Sequence, residues 1–223
     1  MARLLYKQDS VVLHKRLTRR HIRLCGQIKG GATCASAIQP KLDNLLITEQ
    51  ALSVANETYE NTSDDLILKD ADLDNAVRTL FERSRQYDRE NGGNVAVLLF
   101  PDLTYSDIIN MPYAEEPKKV STLIQKLETL EQGHELRSLI DVLQQKVNAV
   151  NAALDAKQQA ADNVRRCQVQ EELTKNEVRA QYETNYLDAR KTLGRQVAES
   201  LFPKIANQKS RGQENELNPE QGE

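Results

Sequence analysis

The sequence predicts an all-α fold, an elongated antiparallel bundle of two long and two short helices with coiled-coil-like packing. Composition is the first observation, since glycine (9), proline (6) and phenylalanine (3) are few among 223 residues and tryptophan is absent. A sequence motif that occurs twice is the second, and it indicates a duplicated helical unit. The third is a heptad ladder of large apolar or aromatic residues: Ile38, Leu45, Leu52, Tyr59, Leu66, Leu73, Leu80 and Tyr87. Such a strict repeat keeps one seam of a helix facing a partner and predicts a left-handed supercoil.

A first short helix is predicted over residues 10–29, where apolar side chains recur at helical spacing. Ser10 is its predicted N-cap, and the Gly30-Gly31 pair is its predicted end. The remaining faces carry two histidines and five basic residues: His14, His21, Lys15, Arg16, Arg19, Arg20 and Arg23. We expect the two histidines to share a face with the arginines and to point to solvent or to a partner.

The first long helix is predicted over residues 36–91, with Pro40 tolerated only in its first turn. Beside the heptad ladder runs a column that is too polar for a two-stranded zipper: Leu42, Glu49, Asn56, Ser63, Asp70, Val77 and Ser84. The ladder is therefore interpreted as an intramolecular spine, covered by the chain's own short helices and second long helix. Glu49 and Asp70 should lie at the rim of the seam or meet an Arg or Lys, because a buried unpaired carboxylate costs several kcal/mol.

The stretch after residue 101 contains Pro112 and Pro117, which exclude a continuing helix, while its scattered apolar residues predict a packed connector. A second short helix is predicted over residues 118–132, followed by Gly133. A second long helix is predicted over residues 135–201.

The repeated motif supports a tandem organisation. VAVLLFP at residues 95–101 recurs as VAESLFP at residues 197–203, an offset of 102 residues with five of seven positions identical. Duplication predicts pseudo-repeats at about residues 10–101 and 112–203 within a single elongated bundle spanning residues 1–203. Coincidence between two helix-ending signals is the alternative. The polar residues 204–223 are predicted to form a disordered tail.

Charge is distributed unevenly along the chain. Residues 1–34 hold eight Lys or Arg against one Asp, whereas residues 35–91 hold six against twelve acidic residues. Opposite charges in neighbouring segments favour a basic first helix that lies against the acidic long helix. An outward-facing basic patch that binds nucleic acid or anionic lipid is the alternative.

The sequence carries no constellation that predicts an enzyme, a cofactor or a metal. There is no glycine-rich phosphate loop, and no histidine is paired with a nucleophile that the sequence can place. The single Glu-x-x-His, Glu131 to His134, has a glycine inside it and is expected to have a capping or surface role. Three cysteines without CxxC spacing predict neither a disulfide framework nor a zinc site. We therefore predict no enzymatic activity, no cofactor and no metal.

The sequence favours a cytoplasmic, non-enzymatic helical bundle that acts as a structural or protein-protein interaction module. Neither a signal-peptide pattern nor a run of about 20 apolar residues is present, so no membrane span is expected. A protein partner or self-association is the predicted mode of action. Nucleic-acid binding is the alternative, with contacts from Lys15, Arg16, Arg19, Arg20 and Arg23. A membrane-inserting role for residues 95–100 is disfavoured, because this segment is too short to span.

Overall fold

The computed structural model describes residues 2–101 and 104–202. The regular secondary structure in these ranges is entirely helical. They are α1 (Val11–Cys25), α2 (Ala32–Asn91), α3 (Val95–Leu99), α4 (Tyr105–Ile109), α5 (Glu116–Glu128), a 3₁₀ segment (Glu135–Leu139), α6 (Ile140–Thr192) and α7 (Arg195–Leu201). The long helices α2 and α6 pack against each other, which confirms the predicted all-α helical bundle. Within these ranges no helix has the length and apolar character that crossing a membrane requires. The predicted tail, residues 204–223, lies outside the described residues.

The chain is divided into two compact units. Unit 1 consists of Met1–Gln50 and Val169–Glu223, and unit 2 consists of Ala51–Gln168. Unit 1 thus contains α1, α7, the start of α2 and the end of α6. Unit 2 contains α3, α4, α5, the end of α2 and the start of α6.

In unit 1 the two long helices run antiparallel. Lys41 Nζ donates to a carboxylate oxygen of Glu177 at 2.9 Å, and the hydroxyls of Thr48 and Thr174 are hydrogen-bonded at 2.8 Å, so residue numbers fall along α6 as they rise along α2. The apolar core joins α1, α2, α6 and α7 with the segment before α1: Leu5, Leu17, Cys25, Cys34, Ile38, Leu45, Val178, Tyr182, Ala189, Ala198, Leu201 and Phe202.

In unit 2 the long helices are also antiparallel. Lys146 Nζ donates to Asp72 at 2.6 Å, and the Lys157 ammonium lies 5.8 Å from the ring centroid of Tyr59. Here α5 covers the helix pair, and the core includes Leu66, Leu73, Val77, Leu80, Leu99, Ile108, Val120, Leu123, Leu127, Leu143, Val147 and Val150.

The heptad ladder faces the chain's own core at most of its positions. Ile38 and Leu45 are buried in unit 1, and Leu66, Leu73 and Leu80 are buried in unit 2. These five residues confirm the predicted intramolecular spine. The ladder is weaker at its other three positions, because Leu52 and Tyr87 are half-buried and Tyr59 is 37% exposed.

The boundaries of two predicted helices were wrong. Helix α2 begins at Ala32, so Pro40 lies in its interior rather than in its first turn. Proline removes the hydrogen bond to the carbonyl of Ser36, but both residues are exposed, so water can reach that oxygen. The second long helix ends at Thr192 instead of continuing to Leu201, because Gly194 takes a φ of 82° and α7 starts afresh after it.

The two copies of the repeated motif adopt the same local structure. Phe100 has φ −121° and ψ 65°, and Phe202 has φ −123° and ψ 60°, each directly after a short helix. The leucine before each phenylalanine is fully buried, and its carbonyl oxygen is contacted from a short helix. Lys126 Nζ of α5 donates to Leu99 at 3.0 Å, and His21 Nδ1 of α1 lies 3.2 Å from the carbonyl oxygen of Leu201. Duplication stays a prediction, with this local match in its favour.

Candidate functional site

Four of the five predicted contact residues form an arginine stripe on α1: Arg16, Arg19, Arg20 and Arg23. Their spacing places all four on one face of the helix, over roughly 10 Å. Ser10 starts the helix as predicted, since its hydroxyl accepts from the Leu13 backbone N–H at 3.3 Å. All four arginines are exposed, and none forms an ion pair with a residue in the described ranges. The stripe thus presents four uncompensated positive charges to solvent.

Lys15, the fifth predicted contact residue, points elsewhere. Its ammonium forms an ion pair with Glu49 of α2 and is largely buried there. This pair confirms that Glu49 meets a basic residue, and it is the part of α1 that lies against the acidic long helix as expected. The arginine stripe follows the expectation less closely, because its four residues form no ion pair with α2 within the described ranges, although Arg19 and Arg23 line a groove together with Asp43 of α2.

An open groove lies beside the arginine stripe, within unit 1. It runs between α1 and the start of α2, and it combines two stripe arginines with apolar side chains and one carboxylate: Arg19, Ile22, Arg23, Gln39, Leu42, Asp43 and Leu46.

The expectation that His14 and His21 face solvent or a partner was wrong. Both are fully buried on the face of α1 opposite the arginine stripe, together with Leu17, Thr18 and Cys25. His14 Nδ1 donates to the carbonyl oxygen of Ser10 at 3.0 Å, and its Nε2 is buried without a hydrogen-bond partner among the described residues. Burial lowers the pKa of both imidazoles. Each histidine is therefore a neutral core residue.

His21 and Cys25 are one helical turn apart, and Asn185 of α6 joins them. His21 Nδ1 donates to Leu201, which leaves Nε2 to accept from Asn185 Nδ2 at 3.1 Å, while the Cys25 sulfur lies 3.5 Å from Nε2. A Cys-His-Asn set resembles the parts of a thiol nucleophile in kind. Burial, however, raises the pKa of the Cys25 thiol to about 12, and all three side chains are shielded from solvent. This set is a structural polar node.

Unit 2 contains a carboxylate cluster that the sequence did not predict: Asp70, Asp74 and Glu116. Asp70 and Asp74 are one turn apart on α2 and half-buried, and Glu116 is the first residue of α5 and fully buried. One oxygen from each side chain lies within 4.8 Å of the other two. The cluster is the one group of three potential metal ligands among the described residues.

Electrostatics in the carboxylate cluster are unfavourable for three ionised groups. Burial and the charge of Asp74 raise the pKa of Glu116 to about 9. The pKa values of Asp70 and Asp74 are also raised, chiefly by burial. Arg78 acts on Asp74 in the opposite direction, but its guanidinium lies over the ring of Tyr105, 5.9 Å from the centroid.

Asp70 is half-buried, which agrees with the expected rim position, but it meets carboxyl groups rather than an Arg or Lys. Its Oδ1 is buried without a hydrogen-bond partner among the described residues, and its neighbours are carboxyl groups. Two signals were available in the sequence. Asp70 and Asp74 are spaced to share a helical face, and Asp70 already belonged to a seam column. No local pattern pointed to Glu116, which is brought in by the packing of α5.

Glu131 and His134 have the capping role expected of them. His134 Nδ1 accepts from the Leu136 backbone N–H at 3.2 Å at the start of the 3₁₀ segment, and its ring packs on Tyr87 with centroids 4.3 Å apart. Glu131 contributes its carbonyl oxygen to the His134 backbone N–H at 3.0 Å.

No protein-family model matches the chain, and neither curated proteins nor solved structures gave a match.

Proposed function

We propose that the protein is a non-enzymatic helical-bundle module that binds a second copy of itself or a protein partner through an apolar patch in unit 1. The patch consists of Ile47 on α2 and of Val169 and Leu173 on α6. Their side chains are 65%, 62% and 53% exposed, respectively. A cytoplasmic location belongs to the same proposal, and the three free cysteines are in keeping with a reducing compartment.

The single observation that carries the proposal is the pairing of α2 with α6 at Thr48 and Thr174, from which we infer that the three exposed side chains lie on one side of the helix pair. Thr48 and Thr174 are hydrogen-bonded across the antiparallel helices, and Ile47 and Leu173 each precede one of them by one residue. In an antiparallel pair of helices, two residues that each precede a contact residue by one position lie on the same side of the helix pair. Val169 is one turn from Leu173 on that side. Exposed apolar residues that share one side of a helix pair differ from singly scattered ones, because apolar patches mark interaction surfaces.

Size-exclusion chromatography with light scattering tests self-association. We expect the wild-type chain to form a defined oligomer whose population rises with concentration and which Val169→Gln/Leu173→Gln converts to monomer. Leu187→Gln is the matched control, because Leu187 lies on the same helix, is 56% exposed and is outside the patch. Oligomers that persist equally in both variants would contradict the patch as the site of self-association.

If the wild-type chain is monomeric, the next test is for a protein partner. A photo-cross-linking amino acid at position 173 should then capture one discrete partner in cells of the host, and the same amino acid at position 187 should not. Equal capture at the two positions would contradict the proposal.

Nucleic-acid binding is a second candidate function, favoured by the exposure of the arginine stripe. Four phosphate contacts would give a slope of about −3.6 for log K against log salt on duplex DNA. No aromatic side chain lies among the four arginines in the sequence of α1, so the binding would be to the backbone and not specific to bases.

Fluorescence anisotropy with a labelled duplex, measured over a range of salt concentrations, tests this candidate. Arg19→Gln/Arg23→Gln should reduce the magnitude of the slope by about 1.8. Arg83→Gln/Arg89→Gln is the charge-matched control, because both residues are exposed on α2 outside the stripe. Absence of binding at low salt, or equal loss in the control, would exclude the stripe as the contact.

A further inference from the structure

The carboxylate cluster lacks the hydrogen-bond donors that a buried acidic group normally has. Both carboxylate oxygens of Glu116 are buried, as are Oδ1 of Asp70 and Oδ1 of Asp74, and no N–H or O–H donor of the described residues reaches these atoms. The partners left to them are one another. A buried carboxylate without a donor is strongly destabilising, so a proton or a cation has to complete the cluster.

The corresponding positions of unit 1 do not bring three carboxylates together, because other side chains occupy two of them. At the offset of 102 residues, Glu116, Asp70 and Asp74 correspond to His14, Glu172 and Asn176. These three are neighbours too, since the Glu172 charge acts on His14 and Asn176 Nδ2 lies 3.3 Å from Glu172. In unit 1 the set thus contains one carboxylate instead of three.

A lysine completes the charge balance in unit 1. Lys175 Nζ lies 2.6 Å from a carboxylate oxygen of Glu172. The corresponding position in unit 2 is Leu73, which is fully buried in the apolar core. At these four positions unit 2 therefore has two additional acidic groups and no lysine.

We propose that the carboxylate cluster binds one hard divalent cation, Mg²⁺, Mn²⁺ or Ca²⁺, which supplies the positive charge that Lys175 supplies in unit 1. Three oxygen donors without nitrogen or sulfur suit these ions rather than zinc or copper. An oxygen-oxygen separation of up to 4.8 Å is about twice a metal-oxygen distance of roughly 2.1–2.4 Å, so an ion fits between the three groups. The half-buried aspartates leave access for water, which would complete the coordination.

A proton is the competing occupant. With its raised pKa, Glu116 would keep a proton at neutral pH if no cation bound. A protonated Glu116 has a single O–H, which can donate to only one of the two aspartates at a time. A divalent ion, in contrast, can be coordinated by all three groups. Saturable metal binding distinguishes the two occupants.

Electron paramagnetic resonance of MnCl₂ added to the full chain, after treatment with EDTA and dialysis, tests the proposal at neutral pH. We expect one bound Mn²⁺ per chain, displaced by MgCl₂ or CaCl₂. Glu116→Gln and Asp70→Asn/Asp74→Asn should each weaken binding by more than about tenfold. Glu115→Gln is the matched control, because this exposed residue directly precedes Glu116 and pairs with Lys118.

Thermal unfolding of the same proteins supplies a second measurement. MnCl₂ should raise the midpoint of the wild type and of Glu115→Gln but not of Glu116→Gln, whose helical circular dichroism is expected to match that of the wild type. Absence of saturable Mn²⁺ would assign the cluster to a proton and overturn the proposal. Wild-type affinity in both the Glu116 variant and the double aspartate variant would place the ion elsewhere and overturn it as well.

Discussion

His14 in unit 1 and Glu116 in unit 2 stand 102 residues apart, at corresponding positions of the two short helices, and both are fully buried. Their titration has opposite consequences for stability. Burial lowers the pKa of His14 and raises that of Glu116, because in both cases it disfavours the charged form. Each unit thus tolerates a buried ionisable residue in its short helix, while the sign of that residue's charge sets the pH at which the unit is strained.

The largest expected effect that tests this comparison concerns Glu116. Its pKa is raised from 4.5 to about 9, so the folded chain binds more protons than the unfolded chain between these values. The contribution of Glu116 to the free energy of unfolding is therefore fully present below about pH 4.5 and is lost as the pH rises through that window. In EDTA, the wild type should lose on the order of 3 kcal/mol more than Glu116→Gln between about pH 6 and about pH 9.

Urea unfolding of both proteins at several pH values measures this difference. Glu115→Gln should follow the wild type, because its side chain is exposed. Parallel pH profiles for the wild type and Glu116→Gln would show that the buried position of Glu116 does not strain unit 2.

A smaller effect compares the starts of the two long helices. Pro40 of α2 corresponds to Val142 of α6, and both are exposed inside a helix. Pro40→Val restores a backbone donor toward Ser36 and should stabilise the protein by about 1–2 kcal/mol, less than the full cost of an interior proline because the unfolded chain also gains freedom. Urea unfolding measures it, with Val142→Ala as a control that changes stability by less than about 0.5 kcal/mol. Destabilisation by Pro40→Val would mean that α2 needs the proline at this point.

The smallest effect concerns His14. Because its folded-state pKa lies below 6.5, its stabilising contribution is present above that pH and is lost as the pH falls below it. The charged groups that act on it are Lys175, Asp9 and Glu172, of which Lys175 further disfavours the imidazolium. Between about pH 7 and about pH 5, wild-type stability should fall more than that of His14→Gln, which can keep a donor toward Ser10.

Urea unfolding at the two pH values checks this outcome. Glu116→Gln provides the contrast, because it keeps His14 and should therefore still lose the His14 contribution to stability as the pH falls. A wild-type protein that gains stability relative to His14→Gln as the pH falls would contradict the assignment of His14 as a neutral core residue.

Local patterns in the sequence were sufficient for the features that depend on neighbours along the chain. Ser10 caps α1 as expected, and five ladder residues are buried because heptad spacing fixes which side of a helix they occupy. The structure differs from the prediction at Pro40 and at Gly194 for opposite reasons. Solvent access made a proline tolerable in a helix interior, and a glycine ended a helix although apolar spacing continued beyond it.

The candidate sites depend on packing between distant segments, so the sequence revealed them in part. The arginine stripe was visible as a basic helix, but which face α1 buries is decided by α2, α6 and α7, and that choice placed both histidines inside. The carboxylate cluster joins residues 70 and 74 to residue 116 through the packing of α5. Comparing the two copies at the 102-residue offset would have aligned Glu116 with His14, although not their neighbours in space.

The most direct test of the account is a ¹³C NMR titration of the Glu116 carboxyl carbon in metal-free protein, repeated with saturating MgCl₂. The account predicts a pKa of about 9 without metal and a pKa well below that value when Mg²⁺ is present, because a bound cation favours the carboxylate. An ordinary glutamate pKa in the metal-free protein, unchanged by MgCl₂, would contradict it.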